Sequence, residues 1–151
     1  MFQLPDFVED YLNKIINISV DIKSIWLFGS QVNNYSRPDS DWDFLIFSNE
    51  DFYKFLINNP DLNNKKIDLL VCYNNEEAFA PWASKAKDGS IRKKHLNLNN
   101  LKWKVKNNNF ATYVSIDRNR KPDFIDNVGK TYFGNGLERE NKAYMIWSPL
   151  K

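Results

Sequence analysis

Apolar residues fall at helical spacing in DFVEDYLNKIINI, the stretch opened by Pro5-Asp6, where Phe7, Leu12, Ile15 and Ile16 mark the inward side of an amphipathic helix. The next apolar runs are too short for helices. Ser24-Ile25-Trp26-Leu27-Phe28, ended by glycine, and Asp43-Phe44-Leu45-Ile46-Phe47 read as buried strands. Between Asn49 and Asn58 the helical period returns with Phe52, Phe55 and Leu56, and Asn59-Pro60 closes the segment. Lys66 to Tyr73 is a third strand. The order helix, strand, strand, helix, strand predicts an α/β (α+β) fold, a small mixed β-sheet with flanking helices.

Beyond Asn75 the pattern weakens. Glu76 to Lys85 predicts one more short helix. In Leu101-Lys102-Trp103-Lys104-Val105-Lys106 apolar and basic residues alternate, so a strand there sets Leu101, Trp103 and Val105 on one face and three lysines on the other. Asn107-Asn108-Asn109 supplies a turn, Thr112 to Ile116 the returning strand, and AYMIWS a last strand. The chain therefore divides into a core over 1–84 and a β-rich extension over 85–151, packed together as a single compact domain. No repeat or linker interrupts it.

Composition adds a bound and charge adds an asymmetry. A chain of 151 residues with 15% aromatics fills one domain with a real core. No apolar run approaches the ~18 residues of a membrane span, and MFQLPDFVED lacks the basic and apolar regions of a signal peptide, so a cytoplasmic protein is expected. The single cysteine, Cys72, has no intrachain partner and reads as a buried strand residue. The net charge of +2 conceals a division: residues 1–84 hold 6 basic and 13 acidic side chains, residues 85–121 hold 11 and 2, and residues 122–151 hold 4 of each. The middle segment is either a solvated face or a surface that meets phosphates.

The chemistry concentrates in LFGSQVNNYSRPDSDWDF, residues 27–44. A strand ending in Gly29-Ser30 delivers backbone without a Cβ, then a hydroxyl, and suits a phosphate. Asp41 and Asp43, two apart at the start of a strand, put both carboxylates on the same side. Like charges side by side are tolerated best around a divalent cation, and oxygen ligands suit Mg²⁺. Asp68 adds a third carboxylate inside an apolar strand, where a charge is costly unless paired or metal-bound. Arg37, within the excursion, is a further candidate for phosphate contact. The bland reading of any one element is a strand-turn-strand with solvated aspartates; all three in order favour a catalytic site.

Gly29-Ser30, ten intervening residues, Asp41-Trp42-Asp43 leading into an apolar strand, and Asp68 in a later strand together resemble the nucleotidyltransferase signature of the DNA polymerase beta superfamily. The likeness is to its small bacterial members, related to aminoglycoside nucleotidyltransferases and to antitoxins that transfer nucleotides onto proteins. Ser36-Arg37-Pro38-Asp39-Ser40-Asp41 is also of the kind such proteins show before the first catalytic aspartate. Many relatives carry a second glycine where this chain has Asn34, and nothing after residue 75 looks like the helical second domain of the aminoglycoside enzymes. The resemblance implies nucleotidyl transfer with two Mg²⁺ ions and an NTP substrate. Asp41, Asp43 and Asp68 are then catalytic residues and metal ligands, with Asp68 helping to take the acceptor's proton. Gly29, Ser30 and Arg37 are nucleotide-binding residues, and pyrophosphate leaves. The acceptor is a protein, an RNA or a small molecule.

Two other readings stand beside this one. The first is a nucleic-acid-binding module using residues 85–121, and the second a noncatalytic, antitoxin-like regulator with a relic site. His95, the only histidine, has no zinc-ligand partner and reads as surface. Trp26, Trp42, Trp82, Trp103 and Trp147 read as core, with Trp42 or Trp103 as candidates for stacking on a base.

Overall fold

The computed structural model describes residues 3–33, 40–85, 88–116, 122–132, 134 and 138–150. Arg37 and Asn34 lie outside the described residues. The N-terminal half follows the hydrophobic periods. Helix α1 (Asp6–Ile16) starts after Pro5, carries Asp6 and Glu9 in its first turn and Lys14 in its last, and so suits its own dipole. Its inward residues are Val8, Leu12 and Ile15, while Phe7 is half-exposed. Helix α2 (Glu50–Ile57) is capped by Asn49, whose side chain accepts from the Phe52 N–H at 2.9 Å, and it buries Phe52 and Leu56. A 3₁₀ turn, Pro60–Leu62, comes next.

Strands β1 (Ser24–Phe28), β2 (Trp42–Phe47) and β3 (Ile67–Cys72) form the centre of an eight-stranded sheet. β2 and β3 run parallel, and β1 pairs antiparallel with β2. β3 is buried on both faces except at Asp68, as a central parallel strand should be. One face, with Ile25, Leu27, Phe44, Ile46, Leu69 and Val71, receives the two helices. The other carries Trp26, Leu45, Leu70 and Cys72.

The sheet continues on both sides. Beyond β3 come β4 (Glu77–Phe79) and β7 (His95–Asn97), both antiparallel. Beyond β1 come β12 (Glu138–Trp147), β9 (Phe110–Ile116) and the two-residue β8 (Lys104–Val105). Two small hairpins, β5 (Ser84–Lys85) with β6 (Ile91–Arg92) and β10 (Phe124–Ile125) with β11 (Thr131–Tyr132), stand off the sheet. The fold is α+β, with a mixed sheet. No helix among the described residues is long and apolar enough to cross a membrane.

Two expectations change here. Within residues 76–85 two short strands, β4 and β5, replace the expected helix: the Asn74 side chain accepts from the Glu76 and Glu77 N–H groups at 3.0 and 2.8 Å, Asn75 turns at φ 64°, and the redirected chain pairs with β3. The alternation at 101–106 does not become a lysine-faced strand either. Lys102 sits at φ 54° and pairs with Glu138 at 3.0 Å, and Val105 is 53% exposed. Trp103 is drawn onto the sheet, edge-on to Trp26 at 5.4 Å and stacked on Tyr113 at 6.3 Å, so its ring is structural. The turn at 107–109 does form, the Asn107 side chain accepting from the Asn109 and Phe110 N–H groups.

Candidate functional site

Register sets three residues in a row across the sheet. Phe28 at the end of β1 pairs with Asp43 of β2, and Asp43 pairs with Asp68 of β3. Alternation sends Asp43 and Asp68 to the face away from the helices, where Leu45 and Leu70 follow them, and Asp41 shares the parity of Asp43. The aspartates separated by a whole element in sequence are thus strand neighbours. They border a cleft of about 320 Å³ lined by Phe28, Asp43, Asp68, Leu70, Lys94, His95 and Leu96.

Gly29 bends the chain away at the end of β1. At φ +82° it takes a conformation that side chains disfavour, and a Cβ there would overlap Oδ2 of Asp43 and come within 3.1 Å of its Cγ. The carboxylate of Asp43 therefore rests against the Gly29 backbone. From Ser30 to Asn33 the chain runs in turns. The Gly29 N–H donates to the Tyr113 hydroxyl at 2.9 Å, and the Asn33 side-chain amide donates to the Gly29 carbonyl at 2.8 Å and the Lys142 carbonyl at 3.1 Å. In return the Lys142 N–H donates to Asn33 Oδ1 at 2.8 Å. Strands β9 and β12 thus brace the Gly29-Ser30 turn. Gln31 ties it to the start of β2 through the Ser40 carbonyl at 3.0 Å.

The electrostatics follow from crowding. Burial, then the charge of Asp68, push the Asp43 carboxyl up to about 7 against the opposing pull of Lys94; a hydrogen bond with Asp68 and the charge of Asp41 add to the rise. Lys94 Nζ donates to Asp68 Oδ2 at 2.6 Å. Burial alone would lower the Lys94 ammonium, but that hydrogen bond and the charges of Asp68, Asp43 and Asp41 outweigh it and hold it above its ordinary value. His95 is exposed, as expected, and stands at the rim of the cleft. Its ring stacks on Phe79 at 4.8 Å, and Nε2 lies 3.5 Å from Glu77.

A pH dependence of stability results. An unfolded aspartate ionises near 3.8, so between that value and about 7 the folded chain keeps a proton that the unfolded chain has lost. Stability therefore falls as pH rises through this window and levels off above it. Asp43→Asn fixes the neutral form. Its melting temperature should match the parent's near pH 4 and exceed it at pH 8 by roughly 6 °C, equivalent to about 2 kcal/mol after solvent screening. Melts of both proteins without added metal check this; an equal difference at the two pH values would take Asp43 out of the carboxylate group.

Residues 10–80 match the family model described as Polymerase beta, Nucleotidyltransferase. This segment is a nucleotidyltransferase domain of the DNA polymerase beta superfamily. No curated protein and no solved structure matches the chain. The nucleotidyltransferase match takes in Gly29, Ser30, Asp41, Asp43 and Asp68, and it stops short of Lys94, Tyr113 and Lys142. Those three were also invisible to sequence reasoning, since only the strand order brings them to the site. Asn33 did carry a local signal, because an asparagine four residues after a turn glycine can accept and donate across that turn.

Do these residues suit a divalent cation? The Asp43–Asp68 pair, side by side on neighbouring strands at the cleft, offers the hard oxygen donors that suit such an ion. Among the described residues, however, no three metal-ligating side chains stand close enough to form a ready cage, and Asp68 is taken by Lys94.

Proposed function

We propose that this nucleotidyltransferase domain moves a nucleoside monophosphate from an NTP to an acceptor hydroxyl, with Mg²⁺ as cofactor. The observation that carries this reading is the row of Asp43 and Asp68 in adjacent parallel strands, with the Gly29 turn pressed against Asp43 and a cleft beside them. A bound Mg²⁺ supplies charge neutralisation on the phosphates and on the attacking oxygen. Asp41 and Asp43 are the residues that would hold it. The braced Gly29-Ser30 turn positions the β and γ phosphates, and the rigidity given by Tyr113, Asn33 and Lys142 keeps that turn from moving as charge shifts. The acceptor oxygen bonds to the α phosphorus, the bond from that phosphorus to the bridging oxygen breaks, and pyrophosphate departs. The hydroxyl proton passes to Asp68, the strand neighbour of Asp43 that is left outside the cation's two ligands.

The test incubates the full chain with Mg²⁺ and each NTP, labelled at the α or at the γ phosphate, with protein, RNA and small-molecule acceptors in separate arms. Label from the α position should appear on one acceptor class and depend on Mg²⁺. Transfer of the γ label, or of none with any NTP, would overturn the reading.

A further inference from the structure

Lys94 belongs to the basic segment, yet its ammonium stands beside the carboxylates of the candidate site. Its backbone is fixed there, since the Ala80 N–H donates to the Lys94 carbonyl at 2.9 Å, just beyond the pairing of β4 with β7. Its Nζ lies 2.6 Å from Asp68 Oδ2 and acts electrostatically on Asp43 and Asp41 as well. The Asp68 side chain is 28% exposed and that of Lys94 52%, so one side of the ammonium grips the carboxylate while another faces the cleft.

Charge arithmetic distinguishes two ways of completing the site. Three carboxylates with two divalent cations leave +1, but the same set with Lys94 added leaves +2 before any substrate arrives. Three carboxylates, Lys94 and one divalent cation sum to zero. An ammonium is a compact point charge with three donors, able to hold a carboxylate oxygen and a phosphate or acceptor oxygen together. Tethered by the chain, it loses no translational freedom on taking its place. We propose that Lys94 replaces one cation of a two-ion site, so that the domain binds a single divalent ion at Asp41 and Asp43 while the ammonium serves as the second positive charge beside Asp68. This rests on the nucleotidyl-transfer reading above.

The test counts ions rather than turnover. The full chain, Lys94→Arg and Lys94→Met are titrated with Mn²⁺ alone, and bound ions are counted from the loss of the free-ion spin resonance signal; thermal melts confirm that each is folded. One ion per chain is expected for the parent and for Lys94→Arg, which keeps the charge, and two for Lys94→Met. Two ions on the parent, or one on all three proteins, would overturn the role of Lys94 and leave the transfer reading intact. No ion on any of them would remove the metal reading on which both depend.

Discussion

Asp41→Ala should lower the proposed Mg²⁺-dependent nucleotidyl transfer by about a thousandfold or more, equivalent to ~4 kcal/mol of lost transition-state stabilisation, while the chain stays folded. The size follows from the unit the residue belongs to, because a site that loses one ligand of its cation loses the cation's work as a whole. Asp43→Ala should fall as far. The double variant should fall no further than either single one, since groups acting together are not additive. Asp68→Ala should reach a similar loss by another route, since it frees the Lys94 ammonium, which already acts on Asp43, to pair with that carboxylate instead. Single-turnover rates with an α-labelled NTP measure all four. An Asp41→Ala protein with most of its turnover intact would sink the mechanism.

Gly29→Ala damages both stability and transfer, and a second glycine separates the causes. Gly29 and Gly89 have nearly the same backbone, φ +82° and +86°, but a Cβ at Gly89 meets nothing within 4 Å, whereas one at Gly29 overlaps the Asp43 carboxylate. Gly89→Ala should therefore cost only the left-handed backbone penalty, about 1–2 kcal/mol or ~4 °C, with transfer unchanged. Gly29→Ala carries the same penalty plus displacement of Asp43 and should lose transfer by at least ~10-fold. Equal melting and equal activity in the two variants would mean that the Asp43 carboxylate does not depend on the space at Gly29.

The elements closest to the site were legible because local period and tertiary pairing agree there. The apolar runs at 24–28, 43–47 and 67–72 are strands, and the register sets Asp43 beside Asp68. Asp68 announced itself as a costly carboxylate in an apolar strand, but its partner could not be read. Lys94 arrives through β4 and β7, each placed by pairing at the sheet's edge, and no local spacing records that route. The readings at 76–85 and 101–106 failed for the opposite reason, since real local patterns were overridden by an asparagine turn, a left-handed lysine and a tryptophan captured by Trp26. One lysine of that basic segment, Lys94, pairs with Asp68 at the cleft.

The bracing of the Gly29 turn sets a schedule for the protein's synthesis. The segment that matches the transferase family ends at residue 80, yet β1 has β12 as its second neighbour, with Ile25 facing Trp147. Until β12 arrives, one edge of β1 lacks that partner, and neither Tyr113 nor Lys142 is in place at the Gly29 turn. At about 5–20 residues per second, a ribosome needs several seconds between Phe79 and Trp147. A nascent chain in that interval already owns its three aspartates but not the brace on the Gly29 turn, so the turn beside Asp43 is completed only when the long-range pairing closes.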